Sequence, residues 1–421
     1  MEHYIDFFSF IDGLKHVRRT LPKTAGGVTE ETSADHGFKM AFLVWVLGAD
    51  APNIDHNRAI RMSLAHDFAK VDIGDEGPHA RLFSLGRKRV SELVQEWPEM
   101  SQQEKDVVYR ERYEKEDVWV GKVVAAFDAD VRGEIHELWR EYETGALGEG
   151  QFANQIGALE NLIQALWRRT QRVSAAAGPW WEHAKKVVDH PRLLEYMSFF
   201  ETREEHGDVP DASSPGNVEK LFRFLEFVDG LKRVRRKVGD VHGKPVYESI
   251  ADHGFSMTWM TWMLGARKEG AFDLNRAIKI ALIHDLAKAE VGELGPYAEL
   301  FSEGRKRTGE LVGEWPTMNQ DERSEIFQAR HEAEREWVER LTSLIAPVGG
   351  EMMALWLEYE AIASPEARFV YQIGVCENIR QAVYCHEQDA SVDLTQWWFH
   401  AKKSIDDPVL LEFIVALEQK G

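Results

Sequence analysis

The sequence predicts an all-α fold built from two tandem helical domains related by internal duplication. Three observations predict it. Long blocks occur twice in the same order, apolar residues recur at helical spacing inside each block, and no run alternates apolar and polar residues long enough to argue a strand. Phe10-Ile-Asp-Gly-Leu-Lys-His-Val-Arg-Arg19 returns as Phe227-Val-Asp-Gly-Leu-Lys-Arg-Val-Arg-Arg236. Ser33-Ala-Asp-His-Gly-Phe38 returns as Ile250-Ala-Asp-His-Gly-Phe255, and Leu64-Ala-His-Asp-Phe-Ala-Lys70 as Leu282-Ile-His-Asp-Leu-Ala-Lys288. Leu138-Trp-Arg-Glu-Tyr-Glu143 matches Leu355-Trp-Leu-Glu-Tyr-Glu360, and Trp180-Trp-Glu-His-Ala-Lys-Lys186 matches Trp397-Trp-Phe-His-Ala-Lys-Lys403. The offset stays at 217 or 218 throughout, so the copies are collinear and the period is too long for a solenoid repeat. We assign residues 1–203 to the first domain and 218–421 to the second. The segment 204–217, rich in Pro, Gly, Ser and Asp, reads as a linker.

Taken in order, Phe7, Phe8, Ile11, Leu14 and Val17 predict an opening amphipathic helix. The apolar runs Met40 to Ala49 and Met257 to Ala266 predict a buried helix in each copy, and both fall short of the roughly 20 residues that span a bilayer. Ile60, Leu64 and Phe68 predict the next helix, and Gly74-Asp-Glu-Gly-Pro78 and Trp97-Pro98 predict breaks. Trp97, Trp139, Trp315 and Trp356 are expected core anchors, and His183 and His400 are expected to pack in the core. Arg87-Lys-Arg89 and Arg305-Lys-Arg307 read as solvated helix faces.

Composition narrows the class. A chain of 421 residues with 44% hydrophobic and 29% charged residues is globular, not largely disordered. A net charge of −20 repels polyanions, which excludes wrapping of a nucleic-acid polymer. A small phosphorylated ligand held by a local Arg and Lys cluster is still allowed. The acidic start Met1-Glu-His-Tyr-Ile-Asp lacks the basic-then-apolar pattern of a secretory signal. Cys376 and Cys385 fall too far apart on one predicted helix for a local disulfide. The expectation is a soluble, reduced, cytoplasmic protein without membrane segments.

Each copy carries a His about thirty residues ahead of an adjacent His-Asp pair: His36 with His66 and Asp67, His253 with His284 and Asp285. Imidazole and carboxylate suit a borderline or hard divalent ion, which would acidify water and polarise a phosphate oxygen. Alone, the same spacing also describes two hydrogen-bonded core histidines. Its presence in both copies adds little, because duplication copies core residues and ligands alike.

These motifs, in this order, resemble the HD superfamily of metal-dependent phosphohydrolases and, within it, the 5'-deoxynucleotidase branch. That branch shows an early Leu-Lys-Arg-Val segment ending in Arg, then Ser-Asp-His, Ala-Leu-Val-His-Asp, Val-Gly-Asp, Leu-Trp-Glu-Glu-Tyr-Glu and Gln-Leu-Asp-x-x-Glu. The resemblance covers nearly the whole of each copy. It implies divalent-metal ligands (Mn, Co, Mg or Fe) at His36, His66, Asp67, His253, His284 and Asp285, and a phosphate-contacting Arg at Arg19 and Arg236. The acid that handles the attacking water or leaving group falls at Asp75 and Glu293. It further implies removal of phosphate from deoxynucleoside monophosphates, and the two copies are expected to pair as an internal counterpart of a homodimer.

Two departures recur in both copies. The last acidic ligand is replaced by Gly157 and Gly374, and the acid four residues after the ligand His becomes Lys70 and Lys288. Glu160 and Glu377, three residues beyond the glycines, lie on the same helix face, either as substitute ligands or as partners in an ion pair. Asp72 and Glu290 are further new acids, expected on solvated surface or beside the Lys. A lysine near a bound cation is unfavourable by several kcal/mol at an effective dielectric of about 20. The alternative function is therefore a metal-poor protein that binds a nucleotide or phosphorylated metabolite without hydrolysing it.

Overall fold

The computed structural model describes residues 1–19, 31–49, 51–73, 99–146, 148–170, 178–206, 217–268, 270, 272–291 and 320–420. By its internal contacts the chain divides into two compact units: Asp6–Pro210, and Asp211–Gly421 together with Met1–Ile5. Both are helical.

At the centre of the first unit, helix Ser33–Gly48 is buried at every position. Its counterpart Ile250–Gly265 is likewise buried throughout. A helix buried on all sides has no solvent face to offer and belongs in the middle of a bundle. Around it pack His56–Ala65 and Gly148–Thr170 in the first unit, and Leu274–Ile283 and Pro365–Gln388 in the second. Ala129–Thr144 and Val348–Glu360 join those two helices in their respective units. Trp139 and Trp356, at 0% and 1% exposure, anchor this packing as expected. Trp97 and Trp315 lie outside the described residues, as do both basic triplets.

Short polar devices fix the helix ends near the site. Thr32 accepts from the Asp35 backbone while Asp35 accepts from the Thr32 backbone, a capping box that Ser249 and Asp252 repeat. Farther on, the Gln155 carbonyl accepts from the backbone N–H of Asp189 and His190, and its amide donates to Asp189. Gln372 does the same for Asp406 and Asp407. The Gln of the Gln-Ile-Gly motif therefore ties the long helix to the start of the helix after next.

Two expectations need correction. The second unit contains an antiparallel hairpin, Arg235–Val241 with Lys244–Ser249, where no strand was expected. Its turn residues His242 and Gly243 have φ of 50° and 70°, the left-handed pair that a two-residue hairpin turn requires. A register irregularity between Lys237 and Gly239 breaks the alternation that would have announced the strand. The first unit keeps the base of this pairing as a single bridge between Arg18 and Thr32. His183 and His400 are exposed, not packed in the core: the apolar contacts of their helices fall on neighbours such as Ala184 and Ala401.

Candidate metal centre

His36 sits in the first turn of the capped Ser33–Gly48 helix, while His66 caps the end of His56–Ala65 with Asp67 just beyond. The same two helix ends in the second unit bring His253 to His284 and Asp285. One ligand atom from each of His36, His66 and Asp67 lies within 4.8 Å of the others, and the same holds for His253, His284 and Asp285. The imidazoles meet edge to face, with ring centroids 5.3 Å apart in the first copy and 5.5 Å in the second.

Hydrogen bonds set the tautomers. His66 Nδ1 lies 2.8 Å from the Ser63 carbonyl, and His284 Nδ1 lies 2.8 Å from the Ala281 carbonyl. A carbonyl only accepts, so each Nδ1 carries a proton and Nε2 is the nitrogen turned toward the carboxylate. Those Nε2 atoms stand 3.3 Å from Asp67 Oδ1 and 3.4 Å from Asp285 Oδ2. Asp67 Oδ2 and Asp285 Oδ2 are buried acceptors without a hydrogen bond. Lys70 Nζ and Lys288 Nζ nevertheless pair with them at 2.8 and 3.1 Å. Two imidazole nitrogens beside a carboxylate oxygen are a donor set that fits a divalent cation.

Burial alone would raise both carboxyls, but their neighbours win. His66, then Lys70, holds Asp67 well below the usual carboxylate range. His284, then Lys288, does so for Asp285. Burial pushes His36 down, with Arg19 adding to the effect, and takes His253 to about 3 with help from Arg236. Both imidazoles are neutral at pH 7, the form a metal ligand needs.

Glu160 and Glu377 stand behind these histidines, with Glu160 Oε2 2.8 Å from His36 Nδ1 and Glu377 Oε2 3.1 Å from His253 Nδ1. Glu377 also belongs to a second buried grouping with Glu248 and His253. Arg19 lies 3.2 Å from both Glu31 and Glu160 and donates to Asn161 at 2.6 Å. Arg236 pairs with Glu248 at 3.4 Å and Glu377 at 3.5 Å and donates to Asn378. Of the two new acids, Asp72 is exposed and accepts from the Trp119 indole at 2.7 Å. Asp75 and Glu293 lie outside the described residues.

In the second unit the centre opens onto a cavity of about 300 Å³. Arg236, Lys288, Tyr359, Gly374 and Asn378 line it beside the His-His-Asp set, with Arg330 and Glu334 among the other lining residues. Burial raises the Tyr359 hydroxyl, which therefore stays a proton donor. Sequence reasoning had not singled out Glu31, Glu248, Asn161, Asn378 or the tyrosines as site residues. The signal was available: an acid ahead of each capped helix, and Glu-Asn in both copies.

Residues 11–191 and 228–409 match the family described as HD domain, so the chain belongs to the HD-domain family and contains the domain twice. It is 30% identical over 175 residues to the 5'-deoxynucleotidase HDDC2 of Bos taurus, covering 41% of this chain and 72% of the relative. To HDDC2 of Homo sapiens it is 23% identical over 212 residues, covering 50% and 91%. To the 5'-deoxynucleotidase hdd1 of Schizosaccharomyces pombe it is 28% identical over 203 residues, covering 46% and 88%. Among solved structures, a predicted metal-dependent phosphohydrolase from Magnetospirillum magnetotacticum MS-1 aligns at 17% identity and TM-score 0.34, over 48% of this chain and 94% of that one.

Proposed function

We propose that the chain is a divalent-metal-dependent phosphohydrolase that releases phosphate from deoxynucleoside 5'-monophosphates. The observation that carries this is the convergence of two imidazoles and a carboxylate on one point beside a cavity lined by Arg236 and Lys288. His253, His284 and Asp285 would hold the ion, and His36, His66 and Asp67 are the matching set in the first copy. A divalent ion supplies Lewis-acid charge for a phosphoryl oxygen and acidifies water at neutral pH. Glu377 and Glu160 orient the imidazoles through Nδ1 and are positioning residues, not ligands, in this scheme. Arg236, anchored by Asn378 and Glu248, offers the phosphate a fixed positive charge. Arg19 has the corresponding place in the first copy. Lys288 and Lys70 sit beside the carboxylate ligand, where an ammonium can meet a phosphate oxygen. The proton of the attacking water or of the leaving group is assigned to Glu293 and Asp75.

The test is release of inorganic phosphate from a panel of deoxynucleoside monophosphates with Mn, Co, Mg or Fe added in turn. Turnover with at least one metal, abolished by a chelator and restored by the metal, is expected. No turnover with any of them from folded protein ends the proposal. One observation favours the second reading, a nucleotide binder: Lys288 Nζ is 3.1 Å from Asp285 Oδ2, where a cation would compete. Thermal stabilisation by nucleotide without hydrolysis would select it.

The collinear duplication further supports domain limits at 1–203 and 218–421 with a linker at 204–217, and an internal pairing of the two copies. Expressing residues 1–205 alone tests the pairing: a stable monomer with little exposed apolar surface speaks against it. No helix among the described residues is long and apolar enough to cross a membrane. Two buried, unbridged cysteines are in keeping with a cytoplasmic setting.

A further inference from the structure

The two centres share their donors but not their surroundings. Lys39 stands in the first copy where the second has Ser256, at the same offset as His36 and His253. The Lys39 side chain is 3% exposed, and its Nζ lies 3.1 Å from Glu160 Oε1. Arg19 Nη1 reaches the other oxygen of the same carboxylate at 3.2 Å. Two cations therefore close on the acid that faces His36. In the second copy Glu377 meets Arg236 at 3.5 Å, and its Oε1 accepts from the neutral Gln381 amide at 3.0 Å.

The arginines differ as well. Arg19 Nη1 is 2.6 Å from His36 Nδ1. The same ring nitrogen lies 2.8 Å from Glu160 Oε2, so in the first copy a guanidinium crowds the contact by which that acid would hold the ring. His253 Nδ1 faces the Glu377 carboxylate at 3.1 Å and donates to it, which leaves a lone pair on Nε2, 3.9 Å from Asp285 Oδ2. The glycine positions diverge in the same direction. A Cβ at Gly157 would meet the Tyr142 hydroxyl at 2.8 Å, so that space is filled. At Gly374 a Cβ would meet Met257 Cε at 3.4 Å, and the position lines the cavity.

We infer that the chain carries one working divalent-cation site, at His253, His284 and Asp285, and that the first copy keeps the same donors closed by its own Lys39 and Arg19. Granting the metal-dependent hydrolase proposed above, this assigns catalysis to the second copy and leaves the first as a non-metallated counterpart. The charge count agrees with the assignment. Around the first centre Arg19, Lys39 and Lys70 balance Glu31, Asp67 and Glu160. Around the second, Arg236 and Lys288 leave one negative charge of Glu248, Asp285 and Glu377 over to attract a cation.

The test is metal stoichiometry of the full chain, loaded with excess manganese, desalted, and read by elemental analysis and by the spin resonance of the bound ion. One ion per chain is expected, unchanged in Asp67→Asn and reduced at least tenfold in Asp285→Asn. Should Asp285→Asn fold poorly, His284→Gln replaces it with the same expected loss. Two ions per chain, equal losses in both variants, or loss only in Asp67→Asn overturns the inference and leaves the hydrolase proposal standing. No bound ion with Mn, Co, Mg or Fe, and no metal-stimulated turnover, overturns both.

Discussion

Gly374 lies where the family resemblance expects a final acidic ligand, and what surrounds it decides what an acid there would do. Gly374→Asp would place a carboxylate at the lining of the second cavity with only the Met257 thioether to move. It is expected to tighten manganese binding by roughly the 10–100-fold that single supporting groups contribute at metal sites. Gly157→Asp meets the Tyr142 hydroxyl at 2.8 Å instead, and is expected to lower the melting temperature without a gain in affinity. Calorimetric titration with manganese and thermal melts of both variants check the pair. Lys288 offers the converse test. Its ammonium, 3.1 Å from Asp285, opposes a divalent cation by about 8 kcal/mol at about 4 Å separation and an effective dielectric of about 20. Lys288→Met should therefore bind metal at least tenfold more tightly while losing turnover, an affinity gain and kcat loss in opposite directions. At this scale the sequence was partly legible. His36, His66 and Asp67 stood out because chemistry and repetition coincide there. Lys39 did not, because one lysine in an apolar run reads as a helix's polar face, and its burial against Glu160 is a tertiary fact.

The elements that present these residues owe their positions to caps and to one hairpin. Ser249 closes the start of the His253 helix, and Ser249→Ala should cost about 1 kcal/mol of stability, as N-cap losses typically do. Chemical denaturation measures it, and a cost below about 0.3 kcal/mol would mean the cap is redundant. The hairpin tip has its own latch, in which the Asp389 carboxylate accepts from the His242 backbone N–H at 2.6 Å and from Ser391. Those bonds, led by Ser391, pull Asp389 down to about 2. A depressed acid contributes its stabilisation above its unfolded value near 3.9 and loses it as pH falls toward the folded value. Protection of the His242 amide should accordingly persist down to about pH 4 and fade toward about pH 2, whereas Asp389→Asn should flatten that dependence. Hydrogen exchange reads both. The helices were legible from apolar spacing. The hairpin was not, since Val238 and Val246 lie across a register break at Gly239 and the left-handed turn rests on His242, a residue without a turn signature.

At the scale of the whole molecule, the −20 net charge and the local cations act on an anionic substrate in opposite senses and over different ranges. Near 0.01 M salt the screening length is about 30 Å, so an approaching mononucleotide feels the acidic surface as a whole. Near 0.15 M the length is about 8 Å, and only nearby charges such as Arg236, Lys288 and Arg330 at the cavity still count. kcat/KM for a deoxynucleoside monophosphate should therefore rise several-fold between those two salt concentrations, and fall again toward 1 M as the local contacts are screened in turn. A cavity that drew its substrate by long-range attraction would show a monotonic decline instead. Steady-state kinetics across that range, at fixed free metal, separates the two. The turning point also reports how deep the phosphate sits, because a phosphate buried against Arg236 resists screening longer than one held at the cavity mouth.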